Sequence, residues 1–449
     1  MIVSNKMLKI HFLHVGHMSN KGTQGLFKTD VTYLKNMLTD DVSISVSTTD
    51  IEGVKKLNLT LDFVLPSLID IPYERADSFA KKHKITRESY LYKLVALIFL
   101  LYMPIQAILS LISAYFIKLG LPGIYRNNVL KSMFYSDLII SSSDEIYKET
   151  SSLLPITIIW RITWWSMLFS KGWDVFISKI FNKPIIMFPN SVGPFKTRLG
   201  RSIALFALRR YELIIVREPI SFDVVKSLEL PSKLILTTDM AVLFAEGKES
   251  RDWVPRNEIG VCPGIYSRAL SEDRELDYII THARVLDKII EKYGMRVKFV
   301  PHYISGFKND DLDISKKIQE NMKFKEHTEL IITDSVDDFR SILLKFDLVI
   351  SSKMHPAVFS TSGYVPTICV AYDHKQIGFF NILDMSEFVI SLQNINYSIM
   401  LNKIEKMIDH LEDIQVKLYK KMINLKEKQR KAIKEVILQY LIIDGETNK

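Results

Sequence analysis

A chain of 449 residues, 47% of them hydrophobic and carrying a formal charge of +8, is long enough for two large or three small domains with full cores. Its two cysteines, Cys262 and Cys369, sit in apolar runs with no C-x-x-C and no histidine at zinc spacing, so a reducing compartment is expected and neither a disulfide nor a structural metal is. Lysines and arginines are scattered rather than gathered into a basic tract, which argues against nucleic acid as a partner and leaves anionic small molecules or an acidic membrane surface.

Leu8–Val15 reads as the first strand, reached from Met1 without a charged leader or a small-residue cleavage site, so a cytoplasmic location is expected. Asn20, Lys21, Gly22 and Thr23 leave that strand to open a helix. Their donors and close backbone approach suit an oxyanion, although an ordinary turn has the same composition. A second strand follows at Val42–Val46.

Leu94–Ile117 carries no charge, with Lys81, Lys82, Lys84, Arg87 and Lys93 before it and Lys118 after it. Its length suffices for a bilayer, but one crossing would put the first strand and the rest of its sheet on opposite sides of the membrane. Pro104 and Gln106 divide the run, so the expectation is a helical hairpin or interfacial anchor in peripheral contact with the inner face of a membrane. A buried helix pair is the alternative.

Strands at Leu138–Ser141, Pro184–Phe188, Leu213–Val216 and Lys233–Leu236 complete the first half, with helical patterns between them. Asn190, Ser191 and Gly193 follow the fourth of the six, in a segment able to turn donors into a crevice. Arg217 ends the fifth, where its planar fork can grip a carboxylate or phosphate, or else pair with Glu218 or Asp223. Asp239 reads as structural, a cap or a hinge. The polar stretch Ala245–Asn257 marks a junction between a domain at 1–245 and another at 256–395.

The second half repeats the alternation, with strands at Ile259–Pro263, Val297–Pro301, Leu330–Thr333, Leu348–Ser351 and Thr367–Ala371. This is the pattern of an α/β fold with two Rossmann-like, doubly wound domains. The strand at Leu348–Ser351 delivers Ser351, Ser352, Lys353 and His355 to the start of a helix, whose open N–H groups favour negative charge. Lys353 and His355 flank Met354 and share a face. With Arg217 they make a cationic trio drawn from both domains and suited to a small dianion. Neither a P-loop nor a G-x-G-x-x-G follows any strand, and no carboxylate cluster is spaced for a nucleotide-bound magnesium, which disfavours a nucleoside triphosphatase or a dinucleotide enzyme. Residues 396–449 form a charged amphipathic helical segment, either packed back on the first domain or serving as an interaction arm.

Taken in order, these motifs resemble the polysaccharide pyruvyl transferase family. The resemblance rests on Asn20-Lys21-Gly22 after the first strand, the segment Pro189 to Pro194, Arg217 before Ser221, Asp239-Met240-Ala241, and the run from Gly363 to Gly378. The family's Arg-x-His is Lys353-Met354-His355 here, which keeps the charge and gives up the bidentate fork. Where the family carries a glycine-rich segment, this chain has Ser141 to Glu145. The resemblance implies domains facing each other as in GT-B glycosyltransferases and no cofactor. It implies transfer of pyruvate from phosphoenolpyruvate to two hydroxyls of a glycan or lipid-linked oligosaccharide, giving a cyclic ketal. Arg217 and Lys353 would then hold phosphate and carboxylate, with His355 as acid or phosphate partner. A nucleotide-sugar glycosyltransferase of the same shape, or a non-catalytic partner in glycan assembly, fits the same residues. The oligomeric state is left open.

Overall fold

The computed structural model describes residues 7–38, 42–87, 89–149, 158–245, 255–264, 272–304, 306 and 310–446. Fourteen strands occur among them: β1 (Leu8–Val15), β2 (Val42–Thr48), β3 (Phe63–Pro66), β4 (Leu138–Ser141), β5 (Asp144–Tyr147), β6 (Ile185–Val192), β7 (Leu213–Val216), β8 (Lys233–Leu236), β9 (Glu258–Cys262), β10 (Arg296–Phe299), β11 (Thr328–Leu330), β12 (Leu348–Ser351), β13 (Thr367–Ala371) and β14 (Val389–Ser391).

They form two sheets. The first runs β3-β2-β1-β4-β6-β7-β8, with β5 paired beside the extension of β6; the second runs β11-β10-β9-β12-β13-β14. Every named pair is parallel. In each sheet the order steps outward in one direction and then reverses, and the crevice at the reversal is where such sheets bind ligands. Central strands such as β4, β7 and β12 are buried at every residue, so they are continuous Leu, Ile and Val runs rather than alternating ones. The polar junction assigned from sequence lies mostly at 246–254, outside the described residues.

Two helices at the C-terminus, Tyr397–Asp409 and Leu411–Glu446, follow β14. Met400, Ile404, Met407, Leu418, Met422 and Ile433 are buried. The long helix returns to the first half of the chain: Gln429 accepts the Thr238 N–H at 2.9 Å, and the Arg430 carbonyl accepts the Tyr33 hydroxyl at 2.7 Å. Of the two sequence readings, this is the packing element.

The uncharged run forms one uninterrupted helix, Tyr90–Lys118, with Pro104 inside it, so the expected division into a hairpin does not occur. Proline removes one hydrogen bond and typically costs a helix interior about 3 kcal/mol. Here one face from Met103 to Ile117 is buried, and Gln106 is tied to Asp70, its amide donating to the carboxylate at 2.8 Å and its carbonyl accepting the Asp70 N–H at 3.1 Å. That anchorage carries the helix through the proline. Its other face, including Leu94, Leu97, Leu101, Ile105, Ile108 and Ile112, is exposed.

Candidate functional site

The start of the helix Lys21–Leu38 is built for close approach. Asn20 accepts the Gly22 N–H at 2.9 Å and so caps the turn, while its backbone bridges to Tyr303 of the second sheet's domain. A Cβ on Gly22 would overlap the imidazole of His355, with even the ring's Cε1 edge only 2.8 Å away. The glycine is therefore what admits His355 from the facing domain. Thr23 donates to Asp144 at 3.2 Å, and the Lys21 ammonium reaches the His302 carbonyl at 3.4 Å. Burial lowers the Lys21 pKa, with Asp311 and Asp334 opposing it.

Arg217, at the end of β7, is wholly buried. Its Nε donates to Ser191 Oγ at 2.8 Å and its Nη1 pairs with Asp239 at 2.8 Å. Neither carboxylate considered from sequence is its partner: Glu218 instead caps the helix Pro219–Lys226. Nη2 is buried with no hydrogen bond in the protein. Asp239 is both a cap, accepting the Ala241 N–H at 2.8 Å, and the counter-ion of Arg217.

His355 opens the helix Met354–Ser362. Its Nε2 is also buried without a partner. Burial pushes the imidazole down to about 4; Asp239 and Asp144 pull it up, Arg217 and Lys375 pull it down. The electrostatic coupling places Arg217 and His355 in one neighbourhood although they come from different sheets. Lys353 turns the other way. Its ammonium pairs with Asp311 at 3.1 Å, and its stem lies over Gly264, where a Cβ would clash with it. His302 stacks on His355 with ring centroids 6.2 Å apart. Burial, then His355, Lys353 and Lys21, hold its pKa well below the ordinary value.

Other residues singled out from sequence are occupied with holding the strand ends. Asn190 donates to the carbonyls of Ser142 and Phe188 at 2.9 and 2.8 Å and accepts the Ile146 N–H at 3.2 Å, locking β5 to β6. Ser191 accepts from Arg217, and both Asn190 amide hydrogens are spent on carbonyls; in a dry sheet these polar groups have to be satisfied internally. Gly193 has φ 79° and precedes a cis proline. Ser351 accepts the Lys353 N–H at 3.1 Å, and the Ser352 hydroxyl meets that of Tyr278 at 2.6 Å.

Sequence reasoning missed a buried charge network beside this pair. Lys148, just past β5, meets Glu145 at 2.6 Å and Asp373 at 2.9 Å; Lys375 meets Glu145 at 2.6 Å. Burial works against the Glu145 carboxylate, but Lys148 and Lys375 outweigh it and hold it at about 2. Burial likewise opposes the Lys375 charge, and Glu145 with Asp373 raises its pKa in spite of that. The signal was present in two segments already noted, Ser141 to Glu145 and Tyr372 to Gln376, which supply both sides of the network. His374 lies 2.7 Å from Asp373, and its Nε2 is 3.7 Å from Glu218 without a hydrogen bond. Among the described residues no cluster of histidines, cysteines and carboxylates is placed to hold a metal.

A family model described as polysaccharide pyruvyl transferase matches residues 32–374. The amylovoran biosynthesis protein AmsJ of Erwinia amylovora is 23% identical over 248 residues, covering 52% of this chain and 60% of that relative, so the chain matches less than two thirds of its length. Among solved structures, the UDP-GlcNAc 2-epimerase of Neisseria meningitidis bound to UDP-GlcNAc superposes with a TM-score of 0.55 at 11% identity, covering 97% of this chain and 100% of that one. HepE of Anabaena in complex with UDP gives 0.55 at 10%, covering 97% and 99%. At these identities the likeness establishes the shared two-domain α/β architecture and no more.

Proposed function

Because the chain belongs to the polysaccharide pyruvyl transferase family, we propose that it transfers pyruvate from phosphoenolpyruvate to two hydroxyls of a cell-surface glycan or its lipid-linked precursor, forming a ketal without a cofactor. One observation carries this reading. Two buried nitrogens without partners, Arg217 Nη2 and His355 Nε2, belong to residues just past the ends of strands in opposite sheets, and the Arg217 charge acts on the His355 imidazole. Buried donors left unpaired cost free energy unless a ligand completes them, and an oxyanion is the ligand that two N–H donors fit.

Ketal formation adds a proton to the enol methylene, lets one hydroxyl capture the cationic C2, expels phosphate and closes with the second hydroxyl. Two hydroxyl protons are released; one balances the methylene and the other leaves with phosphate. Arg217, held rigid by Asp239 and Ser191, orients one anionic group of the donor. His355 is neutral before the donor arrives and becomes a better base beside a trianion, which allows it to take a proton and return it during the reaction. Lys353 is committed to Asp311 and acts on His302, and Lys375 acts on His355.

The same reading places the protein at the inner face of a membrane. The exposed side of Tyr90–Lys118 is apolar over its length, this is the one described helix long and apolar enough to cross a membrane, and lysines at 81, 82, 84, 93 and 118 border it. An apolar face with a basic margin suits the interface of an anionic bilayer. Phosphate release from phosphoenolpyruvate, dependent on a lipid-linked glycan fraction and accompanied by a pyruvyl mass increment on that glycan, tests the reading. Stabilisation by UDP or GDP, with none by phosphoenolpyruvate, would turn it to a nucleotide-sugar enzyme.

A further inference from the structure

The first sheet holds a second feature that the donor reading leaves unused. A cavity of about 430 Å³ opens at the C-terminal ends of β1 and β2 and the start of β5, walled by the helices Pro72–His83 and Ile158–Ile180. That size suits a sugar unit with part of its neighbour. Three of its lining oxygens are buried with no hydrogen bond in the protein: Thr49 Oγ1, Glu74 Oε2 and Asp174 Oδ1. Asp174 is only 4% exposed. Its other oxygen lies 3.6 Å from His14 Nε2. His14 is itself fixed by Ser141 at 2.8 Å and the Lys171 carbonyl at 3.0 Å, with φ at 63°.

The lining is mixed in charge, with Glu74, Asp77, Asp144, Glu145 and Asp174 beside Lys81, Arg87 and Lys171. Of the cations, Arg87 is engaged by Asp77, its Nε donating at 2.8 Å. Oxygen-rich walls receive hydroxyl donors. Tyr73 and Tyr303 add ring faces to the lining, and the Tyr73 hydroxyl holds Glu74 Oε1 at 3.0 Å, which leaves Oε2 as the open one.

The cavity adjoins the donor site through a single wall. Asp144 lines it, accepts from Thr23 and contributes to the field at His355. Its outer wall is tied to the apolar helix, since Asp77 accepts the Tyr92 hydroxyl at 2.9 Å.

We infer that this cavity is the acceptor subsite, binding a neutral pyranose through Thr49, Glu74 and Asp174 and presenting its hydroxyls at Asp144. The inference rests on the proposed pyruvyl transfer for its role, but not for its ligand class. A saccharide bound there emerges beside the exposed apolar helix, as a lipid-linked acceptor requires.

Saturation-transfer NMR with a panel of methyl hexopyranosides and methyl N-acetylhexosaminides at millimolar concentration tests it, with phosphoenolpyruvate affinity measured by calorimetry on the same samples. The expected result is saturation of at least one pyranoside by the unmodified protein, weakened about tenfold, the value of one hydrogen bond, in Asp174→Asn and in the near-isosteric Thr49→Val, while phosphoenolpyruvate affinity stays within about twofold of the unmodified protein's. Both variants should keep their melting temperatures, and Thr49→Val decides alone should Asp174→Asn fail to fold. A protein that binds phosphoenolpyruvate but saturates no pyranoside, or pyranoside binding that persists unchanged in the variants, overturns the subsite. Pyranoside binding lost in the variants, in a protein indifferent to phosphoenolpyruvate, sustains the subsite and removes the donor assignment alone.

Discussion

Replacing Gly22 by alanine should disable the site while leaving the helix that carries it intact. The added Cβ would overlap the His355 ring, whose third-nearest atom is only 2.8 Å away. Ordinary carbon contacts lie near 3.5–4.0 Å, so the ring has to retreat by about 1 Å or more. It has no easy retreat: His302 stacks on one side, Phe359 stands 6.3 Å away centroid to centroid, and Phe359 is itself pressed against Gly25. Overpacking of this kind costs about 1–3 kcal/mol, part of it offset by the roughly 1 kcal/mol advantage of Ala over Gly in a helix. Stability should fall modestly. A displacement of about 1 Å at a catalytic group, by contrast, costs about 100-fold in rate. The assay is phosphate release from phosphoenolpyruvate with the glycan fraction, in a double-mutant cycle with His355→Gln. If Gly22 acts through His355, the double variant is no worse than His355→Gln alone. Retention of more than about half the rate by Gly22→Ala, or losses that add in the double variant, would refute the reasoning, since a 1 Å displacement cannot be that mild.

Arg217→Ala should do more than stop turnover: it leaves the buried Asp239 carboxylate uncompensated, for a loss of about 3–5 kcal/mol in urea unfolding, and Arg217→Ala with Asp239→Asn should recover part of it. Donor binding should take up a proton near pH 7, because the unliganded His355, pushed down to about 4 by burial, meets a trianion that favours its charged form; calorimetry in buffers of different ionisation enthalpy reads this, and an uptake unchanged in His355→Gln would exclude that residue as the site. Acid should destabilise the fold as pH drops below 6.5 toward 4. His11, His14, His282, His302 and His355 all have lowered values when buried, so the unfolded chain binds the extra protons, at about 1.4 kcal/mol per pH unit for each excess one. Asp30 and Asp174, raised by burial to about 7 and about 8, work in the opposite sense and reduce the slope without reversing it; a midpoint in urea that rises on acidification from pH 6.5 to 5 would contradict this. Leu101→Gln with Ile105→Gln and Ile108→Gln should release the protein from phosphatidylglycerol vesicles in a flotation assay without changing its melting temperature, since all three are exposed.

The two sheets were legible because β4, β7, β12 and β13 are dry on both faces and so spell continuous apolar runs; these, with β1 and the edge strand β8, begin and end where the pattern places them. The strands that were missed lack that signal for physical reasons. β3 and β14 are short edge strands, the former half-exposed and closed by Pro66. β5 reads Asp-Glu-Ile-Tyr, with charge where a buried strand usually has none, and it pairs only because β6 continues four residues beyond its apolar run. Pro104 misled for the converse reason. Helix breaking is a local preference, and the tertiary ties of Gln106 to Asp70 overrode it.

The candidate site was half legible, and its other half changes the electrostatic argument. A strand ending in a cation is visible in sequence; the carboxylate that neutralises it is not, because it arrives from a distant turn. Arg217 comes with Asp239, Lys353 with Asp311, and Lys148 and Lys375 with Glu145 and Asp373. Counted as pairs, the positive groups are already balanced before any ligand enters, so a trio of cations cannot by itself be what attracts a multiply charged donor. What the pairs leave over is geometry and protonation: one guanidinium nitrogen without a partner, and the Nε2 atoms of His355, His302 and His374 in the same condition. Two of these imidazoles, His302 and His355, both held low by burial, form a reservoir beside an otherwise neutral network that gains positive charge only when negative charge arrives. On the proposed reading, a donor trianion is then matched by protons it induces rather than by a standing positive field. This avoids holding several uncompensated charges in a buried, empty cleft, where each would cost several kcal/mol.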